Sequence, residues 1–279
     1  MGIGAALVRL AHQAGAHVFF GDVLDEPGQA LEKELHSDSA TVKFVRCDVT
    51  SYADNLRLFD EAYHTAGRID HAISNAGLGE QGNIVDSELT LESVREDPSK
   101  NVQVLDVNLK GPVYFARLAS VYLRQPGLND KSSTDAADKS LTFTSSVAAF
   151  REDPGLYVYT ASKHGIMGLM RVLRAYVVVV VFSVSTSRVL TDVANRTLIK
   201  SKPHAIRTNT ICPWMTLTRL VAGVEVAWEE AGLPSNKPED IAKIMLGVIS
   251  DSSLNGEAVY VEGGRGWKIE EGTIRLRPQ

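Results

Sequence analysis

The sequence predicts an α/β fold built on a doubly wound parallel sheet, and three observations carry that expectation. Short β-favouring apolar runs alternate with stretches of helical periodicity along most of the 279 residues. Turn residues punctuate the changes of period, and Gly2-Ile3-Gly4 leads straight into an amphipathic helix, as a strand-to-helix turn would.

In that first helix Leu7, Leu10, Ala11 and Ala14 share a face, and Gly15 is placed to cap its C-terminus. Residues 17–20 read as a buried strand ending at Gly21-Asp22, then a helix passes through Leu31 and Leu35 to a strand over 42–45. A helix over 53–66, a strand over 69–74, a long helix over 102–123 and a strand over 141–144 continue the alternation. Residues 157–176 are helical, 205–211 form the next strand, Pro238 opens a helix to 249, and 258–261 is the last strand before Gly263-Gly264. The polar stretch 125–139 reads as a surface loop. Neither a repeat nor a linker divides the chain, so residues 1–279 read as a single domain.

Composition narrows the function classes. Lys and Arg number 29 against 34 Asp and Glu, so the net charge of −5 offers no surplus for a phosphodiester backbone, and nucleic acid is not an expected partner. Cys47 and Cys212 lie far apart without CxxC spacing, which suggests neither a disulfide framework nor a zinc site and fits a reducing, cytoplasmic setting. No histidine pair has metal-ligand spacing, and no metal is expected. The start lacks a basic stretch before an apolar core, and the longest uncharged apolar run, 175–187, is too short to span a bilayer. A membrane partner is not expected.

Several residues can carry chemistry. Gly2-Ile3-Gly4 suits a pyrophosphate at the unpaired amides of a helix start, although a GxG can also be a plain tight turn. Asp22, 18 residues beyond Gly4 at a strand end, can accept hydrogen bonds from adenosine ribose hydroxyls. No Arg or Lys occurs from 21 to 28, so a 2′-phosphate would meet Asp22, Asp25 and Glu26, and NAD is favoured over NADP. Tyr159 and Lys163 stand four residues apart on one helix face. The spacing is common by chance; its chemical use is that an ammonium and an oxidised nicotinamide lower the phenol from about 10, so that it can exchange a proton with an alcohol. Ser146 closes a strand 13 residues earlier, a place for a functional group or for a turn residue.

In chain order Gly2-Ile3-Gly4, Asp22, Asp48-Val49, Asn75-Ala76-Gly77, Asn108, Ser146, Tyr159 and Lys163 resemble the motifs of the short-chain dehydrogenase/reductase family, across nearly the whole chain. Within it the chain is similar to NAD-dependent secondary-alcohol dehydrogenases of the 15-hydroxyprostaglandin dehydrogenase kind. The resemblance implies a Rossmann-type fold and hydride transfer between NAD and a carbinol carbon, with Tyr159 as general base. It implies that Ser146 hydrogen-bonds the substrate oxygen, that Lys163 holds the nicotinamide ribose, and that Asn108 supports a proton-relaying water. Asp48 and Val49 would sit at the adenine, Asn75, Ala76 and Gly77 along the adenosine side, and Pro213 and Thr216 near the carboxamide. Trp214 and Thr216 replace the glycine and valine of the family's Pro-Gly-x-Val-x-Thr. Homodimers or homotetramers are common in the family.

The chain departs from that pattern twice. The family places a strand and a further glycine ahead of Gly2, and here the sequence begins at Met1. In a doubly wound sheet that strand is central, so its loss leaves two neighbours with unpaired backbone groups and removes half the pyrophosphate cradle. Each buried unpaired group costs about 1–3 kcal/mol against a net stability of roughly 5–15 kcal/mol. Between Lys163 and Pro213 an insert at about 177–201 includes Val177-Val178-Val179-Val180-Val181-Phe182, either a tolerated loop or translated intron sequence combined with a misplaced start. The readings in competition are an NAD-dependent dehydrogenase, a non-catalytic remnant with impaired cofactor binding, and a nucleotide-sugar epimerase, which the Asn-Ala-Gly motif and the short chain after Lys163 disfavour. The region 216–233, rich in Leu and Val, can be a lid over an apolar alcohol or ketone or the buried face of two short helices.

Overall fold

The computed structural model describes residues 2–37, 40–85, 88–128, 138–175 and 206–270. The insert at 177–201 and most of the loop over 125–139 lie outside the described residues.

Helix α1 (Ile3–Gln13) starts at Gly2, whose φ of 81° lies in the region glycine adopts without strain. Strand β1 (Val18–Asp22) runs parallel to β2 (Val42–Arg46), in a register that sets Asp22 opposite Arg46. Helix α2 (Asp25–Glu34) connects them. Helix α3 (Tyr52–Ala66) is opened by the Ser51 hydroxyl, which accepts from the Asp54 amide, and closed by left-handed Gly67. Strands β3 (His71–Ser74), β4 (Lys139–Thr144), β5 (Ile206–Pro213) and β6 (Ala258–Glu262) are parallel neighbours in that order. Strand β5 is buried along its whole length, as expected of a strand covered on both faces.

Two expectations need correction. The long helix over 102–123 is interrupted: α4 (Ser99–Leu105) passes into a π-helical turn over Asp106–Lys110 before α5 (Gly111–Tyr122). Pro112 has no amide hydrogen to return to the carbonyl of residue 108, and the widened turn accommodates that loss. The strand at 258–261 is not the last. Gly263 (φ 53°) and Gly264 (φ 73°) form a two-residue turn with both φ values positive, and β7 (Arg265–Lys268) returns antiparallel to β6.

Among the described residues the strands form two sheets, β1-β2 and β3-β4-β5-β6-β7. Among the described residues no ladder joins β1 to β3. Helix α1 ties the parts together. Its Ala5 and Val8 pack with Leu31 of α2 and Val42 of the smaller sheet, while Ala6 and Leu7 pack with Ile211, Val261 and helix α7 (Pro238–Ser250) beside the larger one. On the opposite face α6 (Tyr157–Ala175) lays Ile166, Met167 and Met170 against Phe143, Cys212 and Ala119. Each such large buried side chain contributes about 1.5–3 kcal/mol. Glu270, beyond β7, reaches α6 with Arg171 at 2.8 Å and Arg174 at 2.6 Å. No helix among the described residues is long and apolar enough to cross a membrane.

Candidate active site

Parallel topology gathers the C-terminal ends of β3, β4 and β5 at one edge, and the helices after them begin there. Asn75 follows β3, Ser146 follows β4, and Pro213 ends β5. Tyr159 lies in the first turn of α6 and Lys163 one turn on. The Ser146 side chain stands near enough to the Tyr159 phenol to draw its titration down, and its hydroxyl accepts from the Ala148 amide at 3.2 Å. Lys163 Nζ stands 5.5 Å from the centre of the Tyr159 ring and donates to the Thr144 carbonyl at 3.1 Å.

Burial governs both titrating groups. It pushes the Tyr159 phenol up from its ordinary value, while the Ser146 hydrogen bond draws it down. Burial also lowers Lys163 to about 8, since the amine is only 4% exposed and keeps one carbonyl partner. The expected lowering of the phenol is by Lys163 together with an oxidised nicotinamide; among the chain's own groups desolvation is the largest influence and its direction is upward.

Asn108 sits in the π-helical turn with 1% exposure, and its side chain is fully engaged. Its Oδ1 accepts from the Leu78 amide at 2.8 Å, and its Nδ2 donates to the Leu78 carbonyl at 2.8 Å and the Ser162 hydroxyl at 3.1 Å. Ser162 in turn donates to the Tyr159 carbonyl at 2.6 Å. A Cβ on Gly77 would lie 3.2 Å from Asn108 Oδ1 and 3.4 Å from Lys163 Nζ, so a larger residue there would crowd both side chains.

The residues at the N-terminus of α1 fit a dinucleotide. No side chain caps the first amides of α1, a Cβ on Gly4 would come within 3.0 Å of Asn75 Nδ2, and Ile3 is packed inward. A cleft of about 290 Å³ opens beside Gly2, lined by Leu217, Thr218, Arg219, Val221 and Glu225. Asp22 is exposed at the end of β1, with Oδ1 accepting from the Leu24 amide at 3.0 Å. Asp48 Oδ1 holds the Thr50 amide and hydroxyl at 2.9 and 2.8 Å, and the Val49 carbonyl accepts from Asn55 at 2.9 Å. Asn75 Oδ1 accepts from Thr144 at 3.1 Å, and Ala76 is exposed beside it.

Two residues outside the expected set enter, Thr218 and Arg46. Thr216 is buried, and its hydroxyl is spent on the Trp214 carbonyl at 2.8 Å, whereas the Thr218 methyl is the group facing Gly2, 3.5 Å from where a Cβ would stand. The missed signal was the last threonine of the Pro213–Thr218 segment. Arg46, outside the 21–28 window, reaches Asp25 at 3.2 Å, so the acidic group has one counter-charge after all. Trp214 packs on Trp228 with ring centres 5.5 Å apart and lies under the Arg151 guanidinium. In the segment after Thr216, Leu217, Leu220, Val224 and Val226 are all exposed, which sets aside the buried-face reading.

Fold and side-chain set together define a class, a Rossmann-type oxidoreductase. Residues 1–202 match the family model described as short chain dehydrogenase, and the chain belongs to that family. It is 28% identical to 5'-hydroxyaverantin dehydrogenase of Dothistroma septosporum, over 99% of this chain and 83% of that protein. It is 30% identical to short chain aldehyde dehydrogenase 1 of Euphorbia lathyris, over 94% of this chain and 84% of that one. Among solved structures, a short chain dehydrogenase from Burkholderia cenocepacia in complex with NADP superposes with a TM-score of 0.68 at 20% identity, over 94% of this chain and 93% of that one. The 3-ketoacyl-(acyl-carrier-protein) reductase from Brucella melitensis complexed with NADH gives 0.67 at 19% identity, over 95% and 93%.

Proposed function

We propose that this chain moves a hydride between NAD and a secondary alcohol or ketone, with Tyr159 as general acid and base. The observation that carries the reading is the Tyr159 ring with Lys163 Nζ 5.5 Å from its centre, one helical turn along and with Ser146 beside the phenol, next to a glycine-lined cradle. Bound in that cradle, nicotinamide supplies the hydride acceptor for alcohol oxidation. Gly2, Ile3 and Gly4 would hold the pyrophosphate, Asp22 the adenosine ribose, Asp48 and Val49 the adenine, and Asn75, Ala76 and Gly77 the adenosine side. Pro213 and Thr216, with Thr218 added here, would border the carboxamide.

As the C–H bond of the alcohol breaks with its electron pair, Tyr159 takes the hydroxyl proton. Ser146 holds the substrate oxygen against the phenol. Lys163, whose depressed affinity for its proton reflects desolvation, regains a favourable charge when its ammonium meets ribose hydroxyls. Asn108 fixes the loop at Leu78 and the Ser162–Tyr159 link, and a water at its edge would carry the proton outward.

NAD is preferred over NADP on the strength of exposed Asp22, with Arg46 already paired to Asp25. The exposed Leu217, Leu220 and Val224 support an apolar substrate. The buried free thiols Cys47 and Cys212 support a cytoplasmic setting, and a homo-oligomer is the assembly we expect. NAD reduction with secondary alcohols tests the reading: equal rates for the protein and its Tyr159→Phe variant would overturn it. The split sheet favours a second reading, a family member with impaired nucleotide binding. Calorimetric titration with NADH separates the two, since tight binding eliminates the second.

A further inference from the structure

Helix α6 begins at Tyr157, so the amides of Val158 and Tyr159 belong to its first turn and have no acceptor within the helix. The preceding residue, Leu156, has no polar atom in its side chain to cap them. Both amides are taken by one carboxylate distant in sequence. Glu80 Oε1 accepts from Val158 N at 3.2 Å and Oε2 from Tyr159 N at 2.7 Å. On its other side the Tyr159 peptide is held through its carbonyl by Ser162, itself bound by Asn108. Asn108 also holds Leu78 by both backbone groups, so the short segment that presents Glu80 is anchored two residues before it.

From this geometry we infer that Glu80 is a positioning residue: its carboxylate caps α6 and fixes the turn that carries the Tyr159 phenol against Ser146. The inference rests on the proposed role of Tyr159. A carboxylate at a helix N-terminus is favoured by the partial positive charge there, and two charge-assisted bonds are stronger than the single bond a serine or asparagine cap supplies. Without it both amides turn to solvent and the first turn frays. The phenol then loses its fixed distance to Ser146, and water reaches a side chain that burial now shields.

The test compares Glu80→Ala, Glu80→Gln and Glu80→Asp with the unaltered chain by readouts that need no turnover. One is amide hydrogen exchange along α6, and the other is an NMR titration of ring-labelled tyrosine. Glu80→Ala should speed exchange at Val158 and Tyr159 by about tenfold or more while leaving Met167 and Met170 as they were. The Tyr159 titration should move down toward 10, because exposure relieves desolvation. Glu80→Gln keeps one acceptor oxygen and should fall between, and Glu80→Asp should restore part of the protection. With NAD and 1-phenylethanol as probe, kcat should fall about tenfold in Glu80→Ala with NADH affinity within twofold. Unchanged exchange and titration would overturn the inference, as would a kcat loss matched by an equal loss of NADH affinity. If exchange and titration respond while the unaltered chain oxidises no alcohol, the cap stands and the dehydrogenase reading falls.

Discussion

Replacing Lys163 by methionine removes a charge from the interior and keeps most of the aliphatic stem, so it separates what the amine does for chemistry from what it costs the fold. A drop from the ordinary 10.5 to about 8 means that carrying the charge inside costs about 3 kcal/mol at pH 7. Losing the hydrogen bond to the Thr144 carbonyl returns about 1 kcal/mol of that. Lys163→Met should therefore be more stable than the unaltered chain at pH 7, by about 2 kcal/mol. Because the folded amine holds its proton less tightly, the unfolded state binds more protons between about pH 8 and 10.5, and the stability of the unaltered chain rises through that window. By pH 9.5 the cost of burial has shrunk to roughly 1.5 kcal/mol and the two proteins should nearly converge. The buried Cys212 thiol, pushed up to about 12 by desolvation, titrates in both proteins and largely cancels in the comparison. Urea midpoints at the two pH values measure the gap. A gap that does not change with pH, or a variant less stable at pH 7, would refute the reasoning. Turnover should fall about 100-fold or more in the same variant.

Three further outcomes follow from other parts of the molecule. Tyr159→Phe should lower kcat by about 10²- to 10⁴-fold while NADH affinity, read by fluorescence titration, stays within a few-fold. Asp22→Ser removes the exposed carboxylate opposite Arg46, and kcat/KM for NADP relative to NAD should rise by about tenfold or more, the equivalent of roughly 1.4 kcal/mol; an unchanged ratio would show that Asp22 does not select the nucleotide. Glu270→Gln leaves Arg171 and Arg174 without their buried carboxylate and should cost about 1–3 kcal/mol in denaturant unfolding, since the Arg171 side chain is half-exposed. Desolvation opposes ionisation of Glu270, but the two guanidinium hydrogen bonds outweigh it and hold the carboxyl below its usual value. Its stabilisation is thus complete above the ordinary carboxyl range and fades as pH falls through the lower folded value, and the variant should lack that acid-side decline.

What was legible in the sequence was local or periodic. Alternating period placed most elements within a few residues of their observed bounds, and Gly15, expected to close α1, lies just beyond it with positive φ. The break in α4–α5 was missed because Pro112 near an apolar stripe reads as a helix interior unless the Asn108 side chain is seen bonding Leu78. Strand β7 was missed because Arg265–Lys268 is exposed throughout and lacks an apolar alternation. In the candidate site, the grouping of Tyr159, Lys163 and Ser146 was legible because one helix and one strand end carry them. Glu80 lies 79 positions before Tyr159 and meets it only in space, and no local pattern marks it. Arg46 was overlooked for the same reason: strand pairing, not sequence distance, brings it beside Asp25.

A dinucleotide seated on α1 would bridge the β1-β2 pair and the five-stranded body, which α1 and α3 already join, α3 by setting Leu58 against β1 and Phe59 in the larger core. Such a ligand acts as a splint. Melting temperature should climb with the logarithm of nucleotide concentration, and in its absence proteolysis should strike the strand pair before the rest of the molecule.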